Sequence, residues 1–234
     1  MLEEILLFGF AEYSLPIDRQ ALDRFRLYAD ALEETNKVMN LTAIEGEDDI
    51  ARLHFLDSAA LLTLTDFGGK HVVDVGTGAG FPGLALKIAC PEISLVLLDS
   101  LDKRIGFLRE TCEKLGFDEV SCVHARAEEA PKAWHGSFDI AVSRAVARLN
   151  ILCELCLPLV KTGGLFIAMK GTEHAEELLE AEHAIHVLGG EIEAERDYLI
   201  PGTNIRHSAI LIRKTMPTPP KYPRRWAQIK KQPL

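Results

Sequence analysis

The sequence has no apolar run approaching the ~18 residues of a membrane span, and its first ten residues, MLEEILLFGF, carry two acids where a secretory leader would be basic. These absences argue against a membrane or exported protein and imply a cytoplasmic one. Cysteine is scarce and odd in number: Cys90, Cys112, Cys122, Cys153 and Cys156 show no spacing of a disulfide framework, so reduced thiols are expected. The one C-x-x-C, Cys153 and Cys156, lies in the apolar helical stretch LNILCELCLPLV without a second pair or a His at zinc spacing. It reads as core packing, and no metal is expected. Internal repeats and low-complexity segments are also lacking, apart from the Pro-containing MPTPPKYPRR, which cannot pair as a central strand and implies a semi-rigid, extended arm.

What is present fits an ordinary soluble chain. Its 234 residues, 47% hydrophobic and 26% charged, can bury a full core as one large domain or one domain with an appendage. The net charge of −9 argues against a polyanionic partner, but its distribution argues the other way. From Tyr198 onward eight basic residues (Arg206, Arg213, Lys214, Lys221, Arg224, Arg225, Lys230, Lys231) meet no Asp or Glu, giving +8 against −17 for residues 1–197. Such asymmetry suggests a local polyanion contact on an acidic body; a merely solvated basic tail is the competing reading.

The first 68 residues read as a helical extension. Leu22, Phe25, Ala29 and Leu32 recur at three- and four-residue steps, and DDIARLHFLDSAALLTL gives a second apolar face with Asp48 or Asp49 as its cap. From residue 69 to 214 short β-branched runs alternate with helices, the pattern of βαβ units and a parallel sheet. Strands are expected at HVVDV, SLVLLD, EVSCVH, FDIAVS, GLFIAM, EIEAERDYLI and HSAILIR, with helices near 82–89, 101–115, 149–160 and 173–188. Seven strands make this an α/β doubly wound sheet, followed by a basic tail over 215–234.

Four glycines and a proline crowd the first strand-to-helix turn, HVVDVGTGAGFPGLALKI. Ligands of doubly wound sheets bind beyond the carboxyl ends of the strands, and Gly76, Gly78 and Gly80 let the backbone turn sharply against one. Gly78, Gly80 and Gly83 also fit the G-x-G-x-x-G spacing of a dinucleotide site. Two cofactors compete. A nicotinamide dinucleotide would set its pyrophosphate on the turn, where Asp74 opposes it. S-adenosylmethionine carries an α-amino group and a sulfonium, both cations that Asp74 favours. Asp99, which ends the second strand 21 residues after Gly78, fits the ribose hydroxyls of either, or caps the next helix.

NLTAI (40–44), HFLDS (54–58), DVGTGAGFPG (74–83), DSLDKRIGFL (99–108), ARAEE (125–129), SRAVARL (143–149), ELCLPLVKTGG (154–164) and MKG (169–171) together closely resemble the bacterial small-subunit rRNA guanine-N7 methyltransferases, also called the glucose-inhibited division protein B family. The resemblance runs in order over nearly the whole chain. It implies a class I, Rossmann-like methyltransferase using S-adenosylmethionine, with a mostly parallel seven-stranded sheet and an antiparallel last strand. It places Gly76 and Phe81 at the cofactor's first turn, Asp99 on the ribose, Ala127 and Glu128 beside the adenine, and Arg144 in the active site; Asp74 and Gly78 join the cofactor-binding set from the charge and glycine spacing of the turn itself. The substrate implied is a guanine of 16S rRNA, in a loop near the decoding site of the small ribosomal subunit or its assembly intermediate. Lys170, Arg206, Arg224, Arg225, Lys230 and Lys231 are the expected RNA contacts, while His54 and Asp57 read as domain packing or RNA-side residues. The tail YPRRWAQIKKQPL departs from the family's pattern at Ala227 and Ile229, where Gly and Pro are expected.

Guanine N7 carries an in-plane lone pair and loses no proton on methylation, so no general base is expected; Arg144 would position. SRAVA stands where exocyclic-amine methyltransferases carry an Asn/Asp-Pro-Pro-aromatic motif. Three other readings stay open: a methyltransferase of a small molecule or protein, a nicotinamide-dependent oxidoreductase, and a catalytically silent RNA-binding protein.

Overall fold

The computed structural model describes residues 1–144 and 146–234. Helix α1 (Leu2–Glu12) is followed by α2 (Arg19–Met39), which Asp18 caps by accepting a hydrogen bond from Ala21 N at 2.7 Å. Asn40 ends α2 in the left-handed conformation. Along α2 the buried face is Leu22, Phe25, Tyr28, Ala29 and Leu32, the expected helical stripe. The next helical stretch changes pitch three times: α3 (Glu47–Asp49), a π-helical segment (Ile50–Leu56), α4 (Asp57–Ala59) and a 3₁₀ turn (Ala60–Thr63). Neither Asp48 nor Asp49 is its cap. Gly46 holds that position, and both acids sit in the first turn, where the helix dipole favours them.

Seven strands follow: β1 (His71–Val75), β2 (Ser94–Asp99), β3 (Ser121–His124), β4 (Phe138–Arg144), β5 (Val160–Gly171), β6 (Gly190–Leu199) and β7 (Arg206–Lys214). They form one sheet in the order β3-β2-β1-β4-β5-β7-β6. β1 to β5 pair in parallel, and β7 runs antiparallel to β5 and β6. Connecting helices are α5 (Gly83–Ala89), α6 (Asp102–Leu115), α7 (Leu149–Cys156) and α8 (Ala175–Val187). α7 stops short of residue 160 because Pro158 has no N–H for the helix ladder, and Val160 already pairs with Phe138. Strand order reverses between β1 and β4, which opens the crevice at their carboxyl ends.

The N-terminal helices share a core with one face of the sheet. Tyr28 is fully buried and donates its hydroxyl to Ala79 O at 2.5 Å, while its ring stacks on Phe81. Cys153 and Cys156 are buried on α7. No described helix is long and apolar enough to cross a membrane.

The C-terminal segment is not a projecting arm. Tyr222 and Ile229 are buried, and α9 (Trp226–Lys231) packs on α7. Lys214 is buried too, donating to Leu157 O and Leu188 O, the carbonyls at the ends of α7 and α8. An extended proline segment needs only a few apolar anchors to lie on the body, and this tail has two.

Candidate active site

The glycine turn is built by hydrogen bonds from its own neighbours. Gly76 N and Thr77 N donate to Leu98 O, tying β1 to β2. Gly78 N donates to Asp99 Oδ2 at 2.9 Å, and Leu101 N to Asp99 Oδ1 at 2.9 Å. Gly76 and Gly78 have φ of +71° and +62°, the left-handed region that a Cβ disfavours.

Asp74 does not face the cleft, and the expectation that it meets a cofactor cation is corrected. It is fully buried; its Oδ2 accepts from Thr77 Oγ1 at 2.7 Å and from Gly83 N at 2.8 Å. Burial pushes its pKa up to about 6, and Oδ1 has no partner. The carboxylate holds the turn in shape from behind. A strand-end acid two residues before a glycine reads from sequence as facing the ligand, because nothing local shows that the Gly83 amide and Thr77 hydroxyl claim it.

A second cluster closes the crevice from the β4 side. Arg144 donates Nη1 to Leu53 O at 3.1 Å and to Asp57 Oδ2 at 2.9 Å. Its Nη2 lies 2.9 Å from His54 Nδ1, and its guanidinium carbon 5.0 Å from the Phe81 ring centroid. Because the guanidinium can only donate, His54 Nδ1 is an acceptor. The proton of His54 is then on Nε2, which donates to Thr42 Oγ1 at 2.9 Å. Burial, with Arg144 beside it, lowers the His54 pKa to about 3, so the ring is neutral. His54 also stacks on Phe81, with centroids 4.1 Å apart and planes 7° from parallel.

Asp57 is the anionic centre. Its Oδ1 accepts from Tyr198 hydroxyl at 2.9 Å and from His207 Nδ1 at 2.7 Å. Burial pushes the carboxyl pKa up, yet the His207 hydrogen bond and the Arg144 charge outweigh it and hold the group below its ordinary value. His207 is raised in turn by that hydrogen bond. Sequence reading singled out Arg144, His54 and Asp57 but missed Tyr198 and His207, which lie 141 and 150 residues from Asp57 and carry no local motif.

Three adjoining clefts meet here. One, of about 460 Å³, is lined by Gly76, Gly78, Phe81, Asp99, His54 and Arg144. A second, of about 230 Å³, is lined by Asp99, Ala127, Glu128, Leu155 and Trp226. The third, of about 710 Å³, lies on the far side of Arg144 and includes Asp57, Met169, Lys170 and His207. The predicted residues other than Asp74, Arg206 and the tail cations thus converge on continuous space, with Gly76 and Asp99 shared by the first two clefts. Among the described residues no group of three or more His, Cys, Asp or Glu is placed to hold a metal ion.

The basic residues divide. Lys170 is mostly buried, donating to Glu177 Oε2 at 2.6 Å and Ala147 O at 2.8 Å, so it helps build the third cleft. Arg213 pairs with Glu193. Arg224 is turned inward: its Nε and Nη2 bond both oxygens of the buried Glu154, at 2.8 and 2.6 Å, and its backbone N–H reaches Oε1 at 2.8 Å. The expectation of Arg224 as a phosphate contact therefore gives way to Arg224 as the anchor of the tail, since a buried carboxylate outcompetes a solvated anion for a guanidinium already desolvated beside it. Arg206, Arg225, Lys230 and Lys231 are exposed.

Comparison with known proteins agrees with this geometry. Residues 21–197 match the family model of rRNA small subunit methyltransferase G. Curated relatives carrying that name as ribosomal RNA small subunit methyltransferase G include one from Acetivibrio thermocellus, 43% identical over all of this chain and 97% of the relative. Another, from Alkaliphilus oremlandii, is 46% identical over all of this chain and 99% of the relative. Among solved structures, TrmN from Thermus thermophilus superposes with a TM-score of 0.56 at 21% identity, over 76% of this chain and 53% of that one. A 16S rRNA (adenine(1408)-N(1))-methyltransferase variant from Catenulisporales acidiphilia does so with a TM-score of 0.54 at 18% identity, over 70% of this chain and 90% of that one. These two likenesses show the fold, the class I methyltransferase arrangement with its mostly parallel sheet. The full-length identity shows more: the chain belongs to the family of ribosomal RNA small subunit methyltransferases G.

Proposed function

We propose that this enzyme methylates N7 of a guanine in small-subunit rRNA, with S-adenosylmethionine as the methyl donor. The residues of the two turn-side clefts fit that donor. Asp99 accepts from Gly78 N, from Leu101 N and, at 3.4 Å, from Arg104 Nη1, which leaves its Oδ1 with acceptor capacity for a ribose hydroxyl. Val75, Leu98, Ala127 and Leu155 give the smaller cleft an apolar lining suited to a purine, and Glu128 Oε1 is buried there without a hydrogen-bond partner, ready to accept one. When bound, S-adenosylmethionine supplies an electrophilic methyl on its sulfonium.

The observation that carries the reading is that Arg144 is clamped by Asp57 at the junction of the clefts, while His54, Asp57, Lys170 and Glu177 are already paired. His207 donates Nδ1 to Asp57, and among the described residues nothing engages its Nε2. His54 is held neutral, with Nδ1 accepting from Arg144 and Nε2 donating to Thr42. Asp57 accepts from three donors, and Glu177 from Lys170 and Leu149 N. A ring nitrogen with an in-plane lone pair needs no base, so this protein's part is to hold that nitrogen in line; such positioning contributes up to ~7–11 kcal/mol in well-oriented systems. Arg144, clamped by Asp57 and stacked over Phe81, is the positioning residue at the junction of the clefts. The third cleft, at about 710 Å³, is large enough for a single extruded base. Because the major groove of A-form RNA is too narrow for side chains to reach N7, a loop or flipped guanine is the expected substrate. Arg206, Arg225, Lys230 and Lys231 would meet phosphates.

The test is to incubate the protein with S-adenosylmethionine and small-subunit particles lacking this modification, then cleave at N7-methylguanine with borohydride and aniline. One enzyme- and cofactor-dependent break, in the loop near the decoding site, is expected. Cofactor binding with methyl transfer to another atom, or to a small molecule or protein alone, would overturn the assignment.

A further inference from the structure

The smaller cleft has one wall that the sheet and its glycine turn do not supply. Trp226, the first residue of α9, lines it together with Ala127, Leu155 and Asp99, and it is the single aromatic ring among the lining residues described. Its indole packs on the apolar cluster that contains Ala127 and Leu155, and the Arg126 guanidinium carbon lies 5.7 Å from the ring centroid.

That placement is fixed on both sides. Two residues earlier Arg224 is bound to buried Glu154 by three hydrogen bonds, and three residues later Ile229 is fully buried against the same cluster. No Gly or Pro interrupts Trp226–Gln232, so the segment can close a helical turn. The i, i+3 spacing then puts Trp226 and Ile229 on one side of α9, while Lys230 and Lys231 stay exposed.

We propose that Trp226 is a ligand-binding residue: the C-terminal helix supplies an aromatic face on which the adenine of the methyl donor stacks. The proposal rests on the S-adenosylmethionine reading given above. A purine has a π-face whatever its substituents, and an indole fixed against its site loses little conformational freedom on stacking. Affinity for the adenosyl portion is therefore set partly by the tail and not by the doubly wound body alone.

The chain has two tryptophans, Trp134 and Trp226, which makes the test direct. In Trp134→Phe the remaining indole is Trp226 in its native setting, and its emission should change saturably on titration with S-adenosylhomocysteine; the Trp134 emission of Trp226→Phe should not. By calorimetry, Trp226→Ala should weaken S-adenosylhomocysteine and 5′-methylthioadenosine equally, by about tenfold, since both carry the adenosyl group and only one the amino acid. Trp226→Phe should retain most of the affinity. Wild-type binding with unmoved Trp226 emission and an unchanged Kd in Trp226→Ala overturns the proposal while leaving the methyltransferase reading intact. Failure of the wild type to bind either compound overturns both.

Discussion

Arg144 and Asp57 are bound at 2.9 Å between Nη1 and Oδ2, joining the end of β4 to the first residue of α4 across 87 residues of sequence. The pair is the hinge of the site: it sets the guanidinium over Phe81 and leaves its other nitrogen to fix the tautomer of His54.

Asp57 is almost wholly buried, so Asp57→Ala leaves Arg144, His207 and Tyr198 without their common acceptor. Breaking a buried pair on one side costs about 3–5 kcal/mol. The expected result is a large fall in the urea midpoint together with abolished methyl transfer. Arg144→Lys should be milder in stability but should lower kcat, because an ammonium lacks the planar fork that spans Leu53 O, Asp57 and His54. Equal kcat for wild type and Arg144→Lys would contradict the positioning role.

The two histidines of this cluster give pH dependences of opposite sign. His54 is lowered from 6.5 to about 3 in the fold, so between those values the unfolded chain takes a proton that the native ring refuses, and stability falls as pH falls. His207 is raised from 6.5 by Asp57, so its contribution is complete below that value and is lost as pH rises through the raised pKa. Unfolding midpoints measured from pH 4 to 9 should show a flatter acid limb in His54→Asn and a flatter neutral-to-alkaline limb in His207→Asn. An unaltered acid limb in His54→Asn would mean that the ring is not buried in its neutral form.

Legibility in the sequence followed the range of the interactions. The alternation after residue 69 and the glycine turn are local signals, and they located β1, β2 and Asp99 within a residue or two. His54 and Asp57 were visible as polar residues in an apolar helical stretch, but not their purpose, because the π-helical segment and the return of β7 bring their partners from far along the chain. The tail misled in a specific way: its charge count treated Arg213, Lys214 and Arg224 as free, whereas each is held by an acid or by carbonyls of the body. Nothing in composition distinguishes a lysine that closes two helix ends from one that meets a phosphate.

Gly76 has φ +71°, and a Cβ built there lies 2.5 Å from Val146 Cγ2. A β-branched side chain in the left-handed region is a genuine outlier. Gly76→Val should abolish cofactor binding by intruding between the two turn-side clefts, while Gly69→Ala, at a positive φ with open space around it, should cost only backbone strain of about 1–2 kcal/mol and leave the affinity unchanged. Normal calorimetric affinity in a folded Gly76→Val protein would remove Gly76 from the cofactor site.

Asp74 gives a prediction opposite to that of a cofactor-facing carboxylate. Its folded pKa of about 6 lies above the ordinary 3.8, so the native state binds the proton more tightly, and the ionised form weakens the fold as pH rises through 6. Asn keeps an oxygen for Thr77 and Gly83 and places a neutral amide where Oδ1 has no partner. Asp74→Asn should therefore melt higher than wild type at pH 8, with the gap narrowing as pH falls through 6 and closing only near the ordinary 3.8, and its affinity for S-adenosylhomocysteine should be nearly unchanged. A large loss of affinity in a stable Asp74→Asn protein would show that the carboxylate acts on the ligand after all.

The tail residues separate anchoring from RNA binding. Arg224→Ala strips Glu154, which has no exposure, of all its side-chain donors from that residue, and should lower stability by about 3–5 kcal/mol, the cost of stranding one member of a buried ion pair. Lys230→Ala with Lys231→Ala removes two exposed charges that touch no acid among the described residues, so the melting temperature should hold. Affinity for single-stranded rRNA should instead fall, with the slope of log K against log salt reduced by about 0.7 for each phosphate that the protein no longer neutralises. Were Arg224→Ala to reproduce that change in slope without loss of stability, the guanidinium would have to leave Glu154 for RNA. The slope and the unfolding midpoint, measured on the same two variants, decide which cations hold the protein and which reach its substrate.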